Sequence, residues 1–225
     1  MGIISQMKEI DIFILKLGTD SLIKGSASQL RGFFATKFNE YVLLHHHEAD
    51  KFVYRYPFVQ YKIINKIPVV IGINEGTNVL KDIYDKSDSI RLGNTVYEIN
   101  EREIEIKKGE FGQTPEFHSY NFITPWIGLN QNNYMQYYAL KNSEERNEFL
   151  RRILTGNILS MSKSLGYTVP ERIKCELFVR PEKTNLKNVK HMGFNGKFHV
   201  NFKIPDYLGI GKSVSRGFGA VEEIK

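Results

Sequence analysis

The sequence predicts an α+β protein of two tandem domains, the second looser than the first. Three observations predict this. Residues 9–106 alternate period-two and helical apolar patterns in the order βαββαβ. Residues 109–117 (GEFGQTPEF) hold two glycines and a proline and read as a linker. The length of 225 residues suits two domains. The boundaries expected are 1–112 and 118–225. The βαββαβ order is the ferredoxin-like arrangement, also used by RNA-recognition modules.

The elements follow in order. Residues 9–17 (EIDIFILKL) alternate at Ile10, Ile12 and Ile14 and predict a strand. Ser26 and Gln29 have capping-box spacing. Beyond them Leu30, Phe33, Phe34, Phe38 and Tyr41 repeat at helical spacing and predict a helix from Ser28 to Leu43. Residues 52–64 are β-rich but interrupted by Pro57, so they read as an edge or bulged strand. Asn65-Lys66 joins them in a hairpin to a buried strand, 67–73. Asn74 is the candidate cap of a following helix through Val79, Leu80 and Ile83. Residues 95–106 supply the last strand of the first domain.

The second half opens with a short strand near Tyr120–Ile123. A helix from Ser143 to about Leu165 follows, with Phe149, Ile153, Leu154, Ile158, Met161 and Leu165 inward and Gly166 as its stop. Strands are expected at 172–180, 187–192, 197–204 and 220–224. No residue-level repeat links the halves, so the second reads as a degenerate α+β copy.

Composition excludes several classes. One cysteine, Cys175, rules out a disulfide framework and a cysteine-based metal site. No apolar run reaches membrane-spanning length, and MGIISQMKEIDIF lacks a signal-peptide pattern, so a cytoplasmic protein is expected. The net charge of +6 is uneven. Residues 1–115 carry 15 basic and 15 acidic side chains, and residues 116–225 carry 16 and 10. An excess confined to one half points to a polyanion partner or to a solvated basic face.

Three constellations could carry chemistry. The first is His45-His46-His47. Histidine titrates near neutral pH and can give and take a proton in one cycle. In extended backbone His45 and His47 face the same way; the alternative is an exposed polar loop. The second is Lys37, which falls inside the apolar arc of the first helix. A lysine there either snorkels or meets an anion. Tyr54 lies on the next segment and could reach the same place. The third is GIGKSVSRGFGAV (209–221), where Gly209, Gly211, Gly217 and Gly219 bracket Lys212, Ser213, Ser215 and Arg216. Glycines admit phosphates to backbone N–H groups and the cations attract them. Asp206 stands where a Walker A loop needs its first glycine, so this is not that motif. Trp126 reads as core packing, and His118, His191 and His199 as structural or exposed; the alternative for His191 and His199, in the basic half, is a contact with phosphate.

Taken together, LRGFFATKFNEYVLLHHH, YRYPFVQYK, PVVIGINEG, TPWIGLNQNNY, RRILTGNILSMSKSLGY and IPDYLGIGKSVSRGFGAV resemble the CRISPR repeat-RNA processing endoribonucleases, in the b branch of the sixth Cas family. The resemblance runs from about Leu30 to Glu222. It implies two tandem ferredoxin-like domains and a single metal-independent cut within the repeat of a CRISPR precursor. The ribose 2′-OH would attack the adjacent phosphate, leaving a 2′,3′-cyclic phosphate and a 5′-OH. It implies His47 and His45 as the catalytic pair, Lys37 and Tyr54 beside them, and the Gly209–Gly219 loop on RNA. No metal and no cofactor is expected. Partners implied are the repeat RNA, other CRISPR-associated proteins and a second copy of the chain, with no membrane. The alternatives are a non-catalytic RNA-binding subunit of a surveillance complex, and a ferredoxin-like domain holding a small ligand on its glycine loop.

Overall fold

The computed structural model describes residues 7–45, 56–186 and 189–225, with the backbone alone for His45. They form two compact units. The first holds Glu9–Gly109 with Val214–Gly217; the second holds Glu110–Ser213 and Phe218–Lys225, together with Lys8. Each unit is ferredoxin-like.

In the first unit, β1 (Lys8–Thr19) leads to α1 (Ala27–Lys37) and a short α2 (Val42–His45). The hairpin of β2 (Val59–Ile64) and β3 (Ile67–Ile73), then α3 (Glu75–Ile83), β4 (Ser89–Leu92) and β5 (Thr95–Phe122) complete it. The sheet order is β2-β3-β1-β5, with β4 as a hairpin extension on β5. Asn65 and Lys66 both take positive φ, 50° and 63°, as the expected two-residue hairpin turn requires. Leu30 and Phe34 from α1 and Leu80 and Ile83 from α3 pack against Phe13, Leu15, Tyr61 and Val70 of the sheet. Each such side chain contributes roughly 1.5–3 kcal/mol when fully buried.

Two local readings need correction. The first helix stops at Lys37 instead of reaching Leu43. Phe38 leaves helical backbone at φ −120°, ψ 54°, because its ring turns into the core; α2 resumes four residues later. The Ser26–Gln29 capping box is present as expected. Asn74 stands at the start of α3 but does not cap it with its side chain. Its Oδ1 instead accepts from the Asp11 N–H, and its N–H donates to the Asp11 carbonyl.

In the second unit, the last part of β5 pairs with β7 (Val189–Lys203) and with β8 (Val221–Glu223), and β7 pairs with β6 (Cys175–Leu186). The order β8-β5-β7-β6 repeats that of the first unit. Between β5 and β6 stand α4 (Gln131–Ala139) and α5 (Ser143–Ser164). Between β7 and β8, where a second helix belongs, there is only the glycine-rich segment with a 3₁₀ turn at Val214–Arg216. This missing helix is what makes the copy looser.

The two units divide inside the expected linker, between Gly109 and Glu110, but the segment is strand and not irregular chain. Residues 109–117 lie inside β5, and the strand register slips between Gln113 and His118. Pro115 has no N–H to give a ladder, so it sits in the irregular stretch. The α5 helix ends at a Schellman motif, with the Gly166 N–H on the Lys163 carbonyl and the Tyr167 N–H on the Ser162 carbonyl. Gly166 takes φ +70° there. Leu150, Leu154, Ile158 and Met161 face inward. Trp126 is core, stacked 5.6 Å from Phe122, with its indole N–H on Asn157 Oδ1. Among the described residues no helix is long and apolar enough to cross a membrane.

Candidate functional site

The candidate residues fall into two regions. The first is the end of α1. Lys37 is its last residue, where the negative end of the helix dipole favours a cation. It is exposed at the edge of the apolar arc. Its Nζ lies 5.8 Å from the Phe33 ring centroid and 5.9 Å from that of Phe38, so the stem lies along aromatic surface while the charge stays in water. The ammonium donates to Ser87 Oγ at 2.6 Å, and that hydroxyl donates to the Ser89 carbonyl at 2.6 Å. The Ser87 carbonyl in turn accepts from Arg102 at 2.6 Å. Lys37 is thus aimed by a three-residue turn fifty positions away, a contact no local pattern announces.

His45 closes α2, eight residues after Lys37. Its side chain, together with His46, His47 and Tyr54, lies outside the described residues.

The second region is the glycine-rich segment. A bridge between Gly209 and Ala220 closes it. Several of its N–H groups are used within the fold: Ile210 donates to Gly219, Lys212 to Ile127, Gly217 to Val214 and Gly219 to Pro125. Two glycines are required by space. At Gly217 (φ +99°) a Cβ would stand 2.5 Å from the Cβ of Ala27, and at Gly219 (φ +66°) 2.0 Å from the Ile210 carbonyl oxygen. These glycines serve close packing, so the polar groups the segment offers outward are side chains. Lys212 is exposed, and Ser213, Ser215 and Arg216 are half-buried.

Beneath Val214 lies a group the sequence reading missed. Lys62 is fully buried, and its Nζ donates to the Val214 carbonyl and to Gln60 Oε1, each at 3.1 Å. Burial pushes its ammonium down to about 7. Arg31 on α1 sits close enough to Arg216 to feel its charge. Burial first, and then that neighbouring cation, hold the Arg31 guanidinium below its ordinary range, with Tyr61 acting the other way. Arg31 and Arg216 therefore gather positive charge where Val214–Gly217 crosses β2 and α1, and Lys62 joins them as pH falls below about 7. A lysine in a strand that otherwise reads VQYKII was the available signal.

Sequence models of known families decide the kinship. That of the Cas6b N-terminal domain matches residues 8–110, and that of the Cas6b C-terminal domain matches residues 112–224. The chain belongs to the Cas6b family. A crystal structure of Cas6b is 38% identical, with a TM-score of 0.89, covering 96% of this chain and all of that one. A second, described as the CRISPR RNA processing endoribonuclease Cas6b, is 35% identical with a TM-score of 0.78 at the same coverage. An uncharacterized protein of Methanocaldococcus jannaschii is 44% identical over 137 residues, 60% of this chain and 92% of its own length. Two solved Cas6 structures, at 15% and 11% identity with TM-scores of 0.56 and 0.60, share the fold. Lys37, His45, His47 and Tyr54 all lie in the Cas6b N-terminal match, and the glycine-rich segment lies in the Cas6b C-terminal match.

Proposed function

We propose that this Cas6b protein is an endoribonuclease that binds and cuts the repeat of a CRISPR precursor RNA. The observation that carries this is the 35% identity, over 96% of the chain, to a solved Cas6b described as a CRISPR RNA processing endoribonuclease. The finer chemistry is in-line attack of a ribose 2′-OH on the adjacent phosphate, without metal, giving a 2′,3′-cyclic phosphate and a 5′-OH.

That reaction needs a base for the 2′-OH, an acid for the departing 5′-oxygen and a cation for the phosphoryl oxygens. His47 and His45 supply the proton transfers, with His47 principal. Lys37 supplies the charge, which is supported by its exposed, Ser87-oriented ammonium at the end of α1. Tyr54 orients the reacting groups. The glycine-rich segment (Gly209, Gly211, Lys212, Ser213, Ser215, Arg216, Gly217, Gly219) holds RNA, through Lys212 and Arg216 above all. Placement of Arg216 beside Arg31 supports this, since paired cations suit a phosphate.

The test is cleavage of repeat RNA in excess chelator, with the product ends identified by mass. The proposal expects an undiminished rate and a cyclic phosphate. A requirement for added divalent metal, or a 5′-phosphate on the downstream product, contradicts the chemistry. Tight binding without any cut supports the alternative, a non-catalytic RNA-binding subunit.

A further inference from the structure

The second unit carries an open groove of about 930 Å³ between α4 and the β6–β7 hairpin. That volume is within the roughly 300–1,000 Å³ typical of ligand sites. All of its lining residues belong to this unit.

The groove follows from how α4 is seated. Tyr137 is the inward residue, edge-on to Phe194 at 5.8 Å and capped by the Arg146 guanidinium. This fixes the helix and leaves Tyr134, Met135 and Tyr138 facing outward, at 42%, 70% and 50% exposure. Such a cluster of large apolar side chains in water needs a reason. The Tyr134 and Tyr138 rings lie 4.7 Å apart at 53°, forming two faces of a cleft and not one flat wall.

The opposite wall mixes apolar Pro181, Leu186 and Met192 with lysines, which also stand at the rim. Lys183 and Lys190 come from the hairpin, and Lys212 from the glycine-rich segment. The Lys212 N–H is tied to the Ile127 carbonyl at 2.9 Å, so this cation is held at the rim. Burial draws its ammonium below the ordinary lysine range. The carboxylate in the lining, Glu182, accepts from the Asn195 amide. Aromatic faces with lysines around them match one ligand chemistry, a base with its phosphate.

We infer that this groove takes an unpaired nucleotide of the bound RNA, its base against Tyr134 and Tyr138 and its phosphate on Lys183, Lys190 and Lys212. The inference rests on the RNA-processing reading and extends it to a base-holding subsite. Because Lys212 belongs both to the groove and to the glycine-rich segment, a nucleotide seated here continues the strand held by that segment. The selectivity is for a splayed, single-stranded position over a paired one, since a base within a duplex has no free face to offer.

The test is affinity for repeat RNA made uncleavable by a 2′-deoxy at the scissile nucleotide, with single abasic sites scanned along it. Wild type is compared with Y134A/Y138A and Y134F/Y138F. Both tyrosines are half exposed, so neither variant opens the core, and an unchanged melting curve confirms it. The expected result is about a tenfold loss for Y134A/Y138A and little loss for Y134F/Y138F, as stacking on an aromatic face predicts. One abasic position should weaken wild type by a similar factor and Y134A/Y138A no further. Y134A/Y138A binding every RNA as wild type does overturns the inference alone. So does a change in its mass by light scattering with RNA affinity intact, which makes the face a protein contact. Wild type that fails to bind repeat RNA overturns the parent reading and this one with it.

Discussion

The buried Lys62 ammonium donates to the carbonyl of Val214, 152 positions later in the chain and 3.1 Å away. It places an amine under the 3₁₀ turn that carries Arg216, and burial pushes its pKa down to about 7, so above that pH it is mostly uncharged. In the unfolded chain the same lysine titrates near its ordinary 10.5. Between those values the unfolded state binds the extra proton, so stability rises with pH across that window. Lys62→Met removes the titration. From about pH 7 to pH 9 the wild type should gain roughly 1–3 kcal/mol on Lys62→Met in denaturant titrations. Parallel profiles for the two proteins contradict this.

Lys212 and Arg216 should act on binding more than on the cut. Charge reversal at either is expected to weaken repeat-RNA affinity. It should also lower the slope of log affinity against log salt by about 1 for each phosphate no longer neutralised. Single-turnover cleavage at saturating protein should change little, because such cations hold ground and transition states alike. Equal losses in affinity and in saturated rate count against this division.

The glycines of the chain are not equivalent. Gly219→Ala forces a Cβ onto the Ile210 carbonyl at φ +66° and should cost about 1–3 kcal/mol. Gly156 lies inside α5 with nothing near a built Cβ, so Gly156→Ala should stabilise by about 0.5–1 kcal/mol. Thermal melts of both variants check the signs.

Lys37→Met should lower the saturated cleavage rate by about 10²–10³ if its charge stabilises the phosphoryl oxygens, with no loss of thermal stability from an exposed side chain. His47→Ala should cost about 10²–10⁴ through the missing proton transfer. Ser87→Ala, which frees the Lys37 ammonium, should fall between Lys37→Met and wild type. A Lys37→Met enzyme that cuts normally removes lysine from the mechanism.

The first unit was legible because its signals are local. Alternation in β1, the Ser26–Gln29 box and the Asn65-Lys66 turn each act over a few residues. What stayed hidden depends on distant neighbours. Residues 109–117 look like a linker, but the partner strand β7 draws them into β5 and leaves only a register slip at the proline. The helix α4 sends a single residue, Tyr137, into the core, so QNNYMQYYA has no apolar stripe to read. The helical wheel marks Lys37, yet its setting comes from Ser87, and the helix end at Phe38 puts it outside the core. Lys62 stands out in VQYKII as a lysine among strand residues, but the segment does not tell a buried lysine from an edge-facing one.

The central claim is that the RNA supplies its own nucleophile. The most direct measurement replaces one ribose of the repeat, 5′ of the scissile phosphate, with 2′-deoxyribose and follows binding and cleavage together. The account predicts unchanged affinity and no product. Cleavage of the deoxy-substituted RNA at the same position contradicts it.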